Sequence, residues 1–108
     1  MAGRVIRGDI WLYRFARPDK RRPVVILSRQ AALDHLTTAI VAPVTSTIRG
    51  LPSEVRVGPA DGLSRDSVVN LDHLYTVPKS DLRVHLGRLD PARLERVCEA
   101  INVALGCT

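Results

Sequence analysis

The sequence predicts a small, mainly β domain in which a partly closed antiparallel barrel is capped by one helix near the C-terminus. Three observations lead to this prediction. Short runs of branched and aromatic residues recur at close intervals, and residues that favour turns separate them. One long amphipathic segment follows these runs, and the order of the runs does not fit alternating βαβ units. At 108 residues, the chain is expected to form one domain over residues 1–108.

The strand predictions rest on side-chain alternation and on apolar runs. Trp11, Tyr13 and Phe15 fall on one alternating face of the first strand. Residues 24–28 are almost continuously apolar, which is typical of a buried strand, and the basic residues 16–23 before them are expected to interrupt the pattern. The predicted strands are residues 9–15, 24–28, 38–44, 54–57, 67–71, 74–77 and 84–89, with a short helical turn at residues 29–35.

The helix that closes the chain has clear start and stop signals. Asp90 is a candidate N-cap, and Pro91 lies at the first helical position, where its missing N–H costs no hydrogen bond. Gly106 is placed to end the helix. Helical spacing puts one apolar stripe on the core side, made of Leu94, Val97, Cys98, Ile101, Ala104 and Leu105.

The charge balance favours a polyanionic partner. Sixteen basic residues against eleven acidic ones give a net charge of +5, and fourteen of the sixteen are Arg. A guanidinium matches phosphate oxygens with two donors, which an ammonium cannot do. A genome rich in G and C would also enrich Arg, so the charge alone does not assign a function.

Several classes of protein are excluded or disfavoured. No apolar run approaches the roughly 20 residues needed to span a bilayer, and the N-terminus lacks the apolar region of a signal peptide, so a cytoplasmic protein is expected. The two cysteines, Cys98 and Cys107, have no metal-ligand spacing, so no metal site is expected.

Polar residues at predicted strand ends are the candidates for chemistry. Arg21 and Arg22 precede the second strand, Thr45 follows the third, and Asp72 and His73 follow the fifth. Rigid strand ends are favourable places for reactive groups. Taken alone, however, a basic pair beside proline is usually a solvated loop, and hydroxyls at a strand end usually satisfy backbone groups. Spacing by itself assigns no active site.

Five short motifs occur in an informative order. They are RGDIW at residues 7–11, RRPVVILS at 21–28, VAPVTS at 41–46, GLSRDSVVNLD at 62–72 and LDPARL at 89–94. Each is weak alone, but the ordered set resembles the MazF/PemK family of toxin endoribonucleases over almost the whole chain.

The resemblance implies an SH3-like barrel of the CcdB/PemK type, a homodimer, and cleavage of single-stranded RNA without a metal or other cofactor. In this chemistry a base removes the ribose 2′-OH proton, the oxygen attacks the adjacent phosphorus, and a 5′-hydroxyl departs. The family pattern places the catalytic arginine at Arg22, where it would stabilise charge on the phosphorane, and the catalytic hydroxyl at Thr45.

The resemblance assigns proton transfer to Asp72, the third expected catalytic residue. An ordinary Asp, with a pKa of about 3.9, is a weak base at neutral pH, whereas an ordinary His has a pKa of about 6.5. His73 therefore remains an alternative base, while His35 and His85 are expected to be structural or surface residues.

Two departures from the family pattern affect this assignment. The loop at residues 16–21 is shorter than the Gly-rich loop of many relatives, although Asp19 could partly replace its acid. Asn70 stands where the PemK branch carries an Arg that donates a proton, and an amide cannot be that acid.

The partners are expected to be single-stranded RNA and a cognate antitoxin with an extended or disordered segment. The four aromatic residues are expected to build mainly core. A CcdB-like, gyrase-binding module and a degenerate module that binds only antitoxin are the alternatives, and the C-terminal helix end lacks the Trp of the gyrase-binding class. The expected RNA-binding residues are Arg17, Lys20, Arg21, Arg29, Ser46, Arg49, Asn70 and His73.

Overall fold

A computed structural model describes residues 4–16 and 20–107 of the chain. The described residues form seven strands, two α-helices and two short 3₁₀ turns. The strands are β1 (Asp9–Arg14), β2 (Arg21–Ile26), β3 (Thr38–Thr45), β4 (Glu54–Val57), β5 (Ser67–Asn70), β6 (Tyr75–Pro78) and β7 (Val84–Arg88); the helices are α1 (Gln30–His35) and α2 (Pro91–Leu105), and the 3₁₀ turns are Pro59–Asp61 and Lys79–Asp81.

The strands form one curled antiparallel sheet. Its order is β4-β5-β3-β2-β1-β7, and β6 pairs with β3 beside this path. The prediction of a mainly β fold with a partly closed barrel and a C-terminal helix is confirmed. No helix in the described part of the chain is both long and apolar enough to cross a membrane.

The second half of β2 is buried on both faces of the sheet, which explains its continuous apolar run. Val25 of β2 joins a core cluster that α2 covers with Val97. Its neighbours Val24 and Ile26 point to the opposite face, into a second cluster with Trp11. A strand buried on both faces needs apolar residues at every position rather than at alternate ones.

β2 begins three residues earlier than the sequence predicts. The β1 pairing continues through Pro23, Arg22 and Arg21, whereas the β3 pairing begins only at Val24. Pro23 therefore lies where β2 has one sheet neighbour, a position that tolerates a residue without an N–H. The predicted interruption by basic residues is wrong for positions 21–23, and this places Arg22 on a strand.

β3 changes its neighbour along its length. Its first half, Thr38 to Val41, pairs with β6, whereas Val44 and Thr45 pair with β5. Pro43 falls between these two stretches and still pairs with Val24 on the other side. After β5 the chain therefore crosses to the first half of β3 and pairs there as β6, which leaves a gap between β5 and β6. The candidate site lies at this gap.

The ends of α2 confirm the predicted caps. The Asp90 side chain accepts a hydrogen bond from the backbone N–H of Arg93 at 2.7 Å, and Pro91 is the first helical residue. Gly106 ends the helix in a left-handed conformation, with φ of 68°. The apolar stripe is confirmed except at its last position, since Leu105 is 59% exposed.

Asp9 joins β1 to β7 in the interior. Its carboxylate is almost fully buried, and its Oδ1 accepts a hydrogen bond from Arg88 Nε at 2.6 Å and lies 3.3 Å from His85 Nε2. The other oxygen, Oδ2, accepts from the Ile6 backbone N–H at 2.9 Å. His85 also packs edge-on against Trp11, with ring centroids 5.1 Å apart. His85 therefore has a structural position, as the sequence predicts.

Candidate functional site

Two adjoining cavities open where β2 begins, β3 ends and the chain crosses from β5 to β6. The first has a volume of about 390 Å³ and the second about 440 Å³. Both are lined by Lys20, Arg22, Thr45 and Thr47. The first is completed by Phe15, Pro43, Arg49, Glu54, Asn70, His73 and Tyr75, and the second by Arg21, Pro23, Val44, Ser46, Leu63, Ser64, Arg65 and Ser67.

Arg22 and Thr45 stand on rigid strands at the boundary between the two cavities. Arg22 is half-buried in β2, and its Cα pairs with Tyr13 of β1. Thr45 is the last residue of β3 and pairs with Val68 of β5. Its Oγ1 accepts a hydrogen bond from the Thr47 N–H at 3.1 Å. Because this bond uses the Thr45 oxygen only as an acceptor, the hydroxyl proton can still be donated to a bound group.

The last residue of β5, Asn70, and the loop after it, with Asp72 and His73, hold three further polar candidates. The loop directs the side chains of Asp72 and His73 to different places. His73 and Asn70 line the first cavity, whereas Asp72 lines neither cavity. Asp72 Oδ2 accepts a hydrogen bond from Ser53 Oγ at 2.5 Å, and its backbone N–H donates to Asn70 Oδ1 at 3.0 Å. The Asn70 amide nitrogen therefore keeps its two N–H donors for the cavity, while Asp72 is tied to the neighbouring turn.

Glu54 is a residue of the site that sequence reasoning missed. Its Oε1 accepts hydrogen bonds from the backbone N–H groups of Arg49, Gly50 and Leu51, at 3.1, 2.9 and 3.2 Å. This single carboxylate oxygen fixes the turn that carries Arg49 beside the first cavity. The acidic residue two positions after Pro52, at the end of the Gly50-Leu51-Pro52-Ser53 turn, is the signal that could have found it.

The aromatic residues are divided between core and site. Trp11 is 1% exposed, as expected of a core residue, but Tyr75 is 42% exposed and lines the first cavity. The Tyr75 ring lies against Phe15 with centroids 5.0 Å apart, and Phe15 lies against Tyr13 at 4.9 Å, both edge-on. The expectation of core positions is wrong for Tyr75, because β6 begins at the gap beside β3 and leaves the first residue of the strand uncovered.

The basic candidates are only partly brought together. Lys20 and Arg22 line both cavities, Arg49 lines the first, and Arg21 lines the second. Arg29 lines neither, because it precedes α1 at the opposite end of β2. Arg17, like Asp19, lies outside the described residues.

Positive charge dominates both cavities. Arg65 lines the second cavity and is a cation that sequence reasoning did not select. Among the described lining residues of the two cavities there are five cations and one carboxylate, that of Glu54. This surplus suits a phosphate-bearing ligand. No group of three or more His, Cys, Asp or Glu side chains within residues 4–16 and 20–107 is arranged to hold a metal ion.

The match to a known family spans nearly the whole molecule. Residues 6–105 match a family model described as PemK-like, MazF-like toxin of type II toxin-antitoxin system. The chain belongs to this family. The MazF/PemK resemblance seen in its motifs is thereby confirmed.

Relatives within the MazF/PemK family are similar to the chain over most of their length. It is 47% identical to the probable endoribonuclease MazF5 of Mycobacterium tuberculosis over 103 residues, which are 94% of each chain. It is 44% identical to the endoribonuclease MazF3 of the same species, over 82% of this chain and 86% of that one.

Solved MazF structures share the fold. The Mycobacterium tuberculosis toxin MazF-mt6 superposes with a TM-score of 0.83 at 40% identity, over 91% of this chain and 96% of that one. An endoribonuclease in complex with its cognate antitoxin, from a mycobacterial species, gives a TM-score of 0.87 at 29% identity, over 96% and 97%.

Proposed function

We propose that the chain is an endoribonuclease toxin that cleaves single-stranded RNA without a metal ion and is neutralised by a cognate antitoxin. The observation that carries this proposal is the position of Arg22 and Thr45, which stand on two rigid strands and both line the two basic cavities. Relatives named as endoribonucleases support it over a gyrase-binding module. Because RNA is the substrate, we place the protein in the cytoplasm.

The reaction is an internal transesterification. The ribose 2′-oxygen loses its proton, attacks the adjacent phosphorus, and the bond from phosphorus to the 5′-oxygen breaks; the departing oxygen takes up a proton and becomes a 5′-hydroxyl. Negative charge grows on the non-bridging oxygens as the phosphorane forms. The Arg22 guanidinium offers two parallel donors to these oxygens, and the Thr45 hydroxyl adds a third. Both groups are preorganised, because each belongs to a paired strand.

Cleavage in EDTA tests the activity itself. We expect the wild-type protein to cut a mixed-sequence single-stranded RNA in EDTA and to leave 5′-hydroxyl ends. A matched RNA with one 2′-deoxynucleotide on the 5′ side of the cut should resist at that position, because it lacks the attacking oxygen. Cutting that requires added Mg²⁺, or that persists at the deoxy position, would contradict the proposed chemistry, and absence of cutting across diverse sequences would contradict the proposed activity.

The position of His73 favours it over Asp72 as the base that takes the 2′-OH proton. His73 lines the first cavity with Arg22 and Thr45, whereas Asp72 is held by Ser53 outside the cavities. A positioned base contributes about 10²–10⁴-fold to the rate. We therefore expect His73→Gln to lower kcat by about that factor. We expect Asp72→Asn to change kcat only by disturbing the turn that Asp72 holds through Ser53.

The pH–rate profile separates the two residues. A base must be unprotonated to act, so activity falls on the acidic side of its titration. That acidic limb should disappear in His73→Gln and persist in Asp72→Asn. If it disappears in Asp72→Asn instead, Asp72 is the base, as the family resemblance implies.

Tyr75 and Phe15 form a platform on which an unpaired RNA base can stack. Their rings line the first cavity beside Arg22, and the Asn70 amide can read the edge of the base. Stacking one base on an aromatic side chain contributes about 1–3 kcal/mol. We expect Tyr75→Ala to raise KM at least about fivefold with kcat nearly unchanged, and Tyr75→Phe to behave like the wild type. Equal KM values for all three proteins would exclude stacking on Tyr75.

The antitoxin is proposed to cover the same basic cavities. An acidic, extended segment would pair with the five cations there and exclude RNA, gaining order only when bound. The homodimer implied by the family resemblance stays a prediction, which light scattering coupled to gel filtration would test.

A further inference from the structure

A third cavity, here called the flank site, lies where the start of β2, the end of β1 and the start of β7 meet. It has a volume of about 440 Å³ and is lined by Tyr13, Arg14, Arg21, Asp81, Arg83 and Val84 together with Leu12. Arg14, Arg83 and Val84 play no part in the two cavities that contain Arg22. The flank site therefore extends the site described above onto a separate part of the sheet.

The flank site presents positively charged side chains to solvent. Arg14 and Arg21 are directly opposite each other across the β1–β2 pairing. Arg83 adds a third cation, and Asp81 is the one carboxylate among the described lining residues. Arg21 and Arg83 are both exposed. The guanidinium groups of Arg21 and Arg83 can therefore meet an anionic ligand from solvent.

Two connections join the flank site to the catalytic cavities. Arg21 lines both the flank site and the second cavity. Tyr13 lines the flank site and contacts Phe15, which contacts Tyr75 in the first cavity, so that three rings form a continuous row. Basic groups running beside a row of aromatic rings are the combination that holds single-stranded nucleic acid, in which phosphates and bases alternate.

We propose that the flank site binds a phosphodiester group of the RNA strand one or a few nucleotides away from the scissile phosphate, through Arg21 and Arg83. This rests on the proposed ribonuclease function. The aromatic row favours RNA over an acidic protein segment, because a peptide carboxylate needs the arginines but not the rings. Only one arm of the strand can run from the cleavage site across the flank site, so the flank site serves either the 5′ or the 3′ side of the cut.

The test compares RNAs of different length with variants of Arg83, which touches neither catalytic cavity. A short RNA that the protein cuts is extended on its 5′ side, its 3′ side or both, and KM, kcat and direct binding are measured with Arg83→Gln and Arg83→Lys. Arg96→Gln, on the exposed face of α2, is the matched control because it removes the same charge elsewhere. Binding of an acidic peptide to the same variants is measured alongside.

We expect Arg83→Gln to weaken binding of the RNA extended on one side about fivefold and to raise its KM equally, with kcat and the short RNA unaffected. The salt dependence of that binding should fall by about 0.7 in slope, the value for one phosphate contact on a single strand. Arg83→Lys should recover part of the affinity.

Three results would overturn the proposal. They are equal behaviour of Arg83→Gln and Arg96→Gln on every RNA, an equal loss on short and extended RNAs, or a loss confined to the acidic peptide. If the wild type cuts no RNA, the proposed function fails, and direct binding of RNAs of different lengths still decides whether Arg83 contacts a strand.

Discussion

Replacing Arg22 by alanine is expected to lower kcat for RNA cleavage by about 10²–10³-fold, the usual loss when one preorganised donor to a developing oxyanion is removed. The guanidinium lies at the boundary of the two cavities, where it reaches a phosphate held in either. Because the charge to be stabilised grows only as the phosphorane forms, the loss should appear in kcat more than in KM. Single-turnover cleavage of one defined RNA measures the effect.

Two matched variants make this result specific. Arg22→Lys keeps the charge but loses the fork of two donors, so it should fall between wild type and Arg22→Ala. Arg56→Ala removes an exposed strand arginine from β4 and should cut RNA at the wild-type rate. Circular dichroism and urea unfolding would show that Arg22→Ala remains folded. If Arg22→Ala cut RNA at the wild-type rate, Arg22 would not be a catalytic residue.

Gly87→Ala is expected to lower the free energy of unfolding by about 3 kcal/mol, at the upper end of the cost of overpacking. Gly87 lies on β7 opposite Ile10, and the turn that contains Gly62 passes directly over it. A Cβ at position 87 would lie 2.1 Å from the Asp61 carbonyl oxygen. The obstacle is backbone, which cannot rotate away as a side chain would. Urea unfolding measures the change.

Gly50→Ala is the control for this prediction. Gly50 has a φ of 71°, but nothing lies within 4 Å of the position that its Cβ would take. Its substitution should therefore cost only the strain of a left-handed residue, about 1 kcal/mol. If the two variants lose equal stability, the close approach of the two backbone segments does not limit the size of residue 87.

The sequence predicted the fold well because most of its elements carry a local signal. The apolar run of β2 and β3 follows from burial on both faces, and the caps of α2 follow from the chemistry of Asp90, Pro91 and Gly106. The start of β2 could not be predicted in this way. Pro23 normally argues against a strand, and it is tolerated because β3 has not yet joined β2 at that point.

Which candidate residues share a cavity was predictable where the motif order applies, and less so where tertiary geometry decides. Arg22 and Thr45 face common cavities, as the family pattern requires. Asp72 and His73 are adjacent in sequence, and only the path of the chain from β5 to β6 brings one of them into the cavity. Arg29 is near Arg22 in sequence, but the length of β2 separates them. Tyr75 is exposed because a gap separates β5 from β6 along β3, and no local sequence pattern predicts that gap.

Helix α2 covers the core cluster that contains Val25 and Val97, and this has a consequence for folding during synthesis. Val25 and Ala42, on the strands that carry Arg22 and Thr45, are buried against a cluster that includes Val97 of α2. β1 meanwhile pairs with β7, and Asp9 bonds to Arg88, 79 residues further along the chain. A nascent chain on the ribosome therefore lacks both supports of the candidate site until the residues of β7 and α2 have emerged. Such long-range closure folds slowly for a domain of this size, which delays the activity until α2 has been made and has packed, and gives a partner time to reach the finished surface.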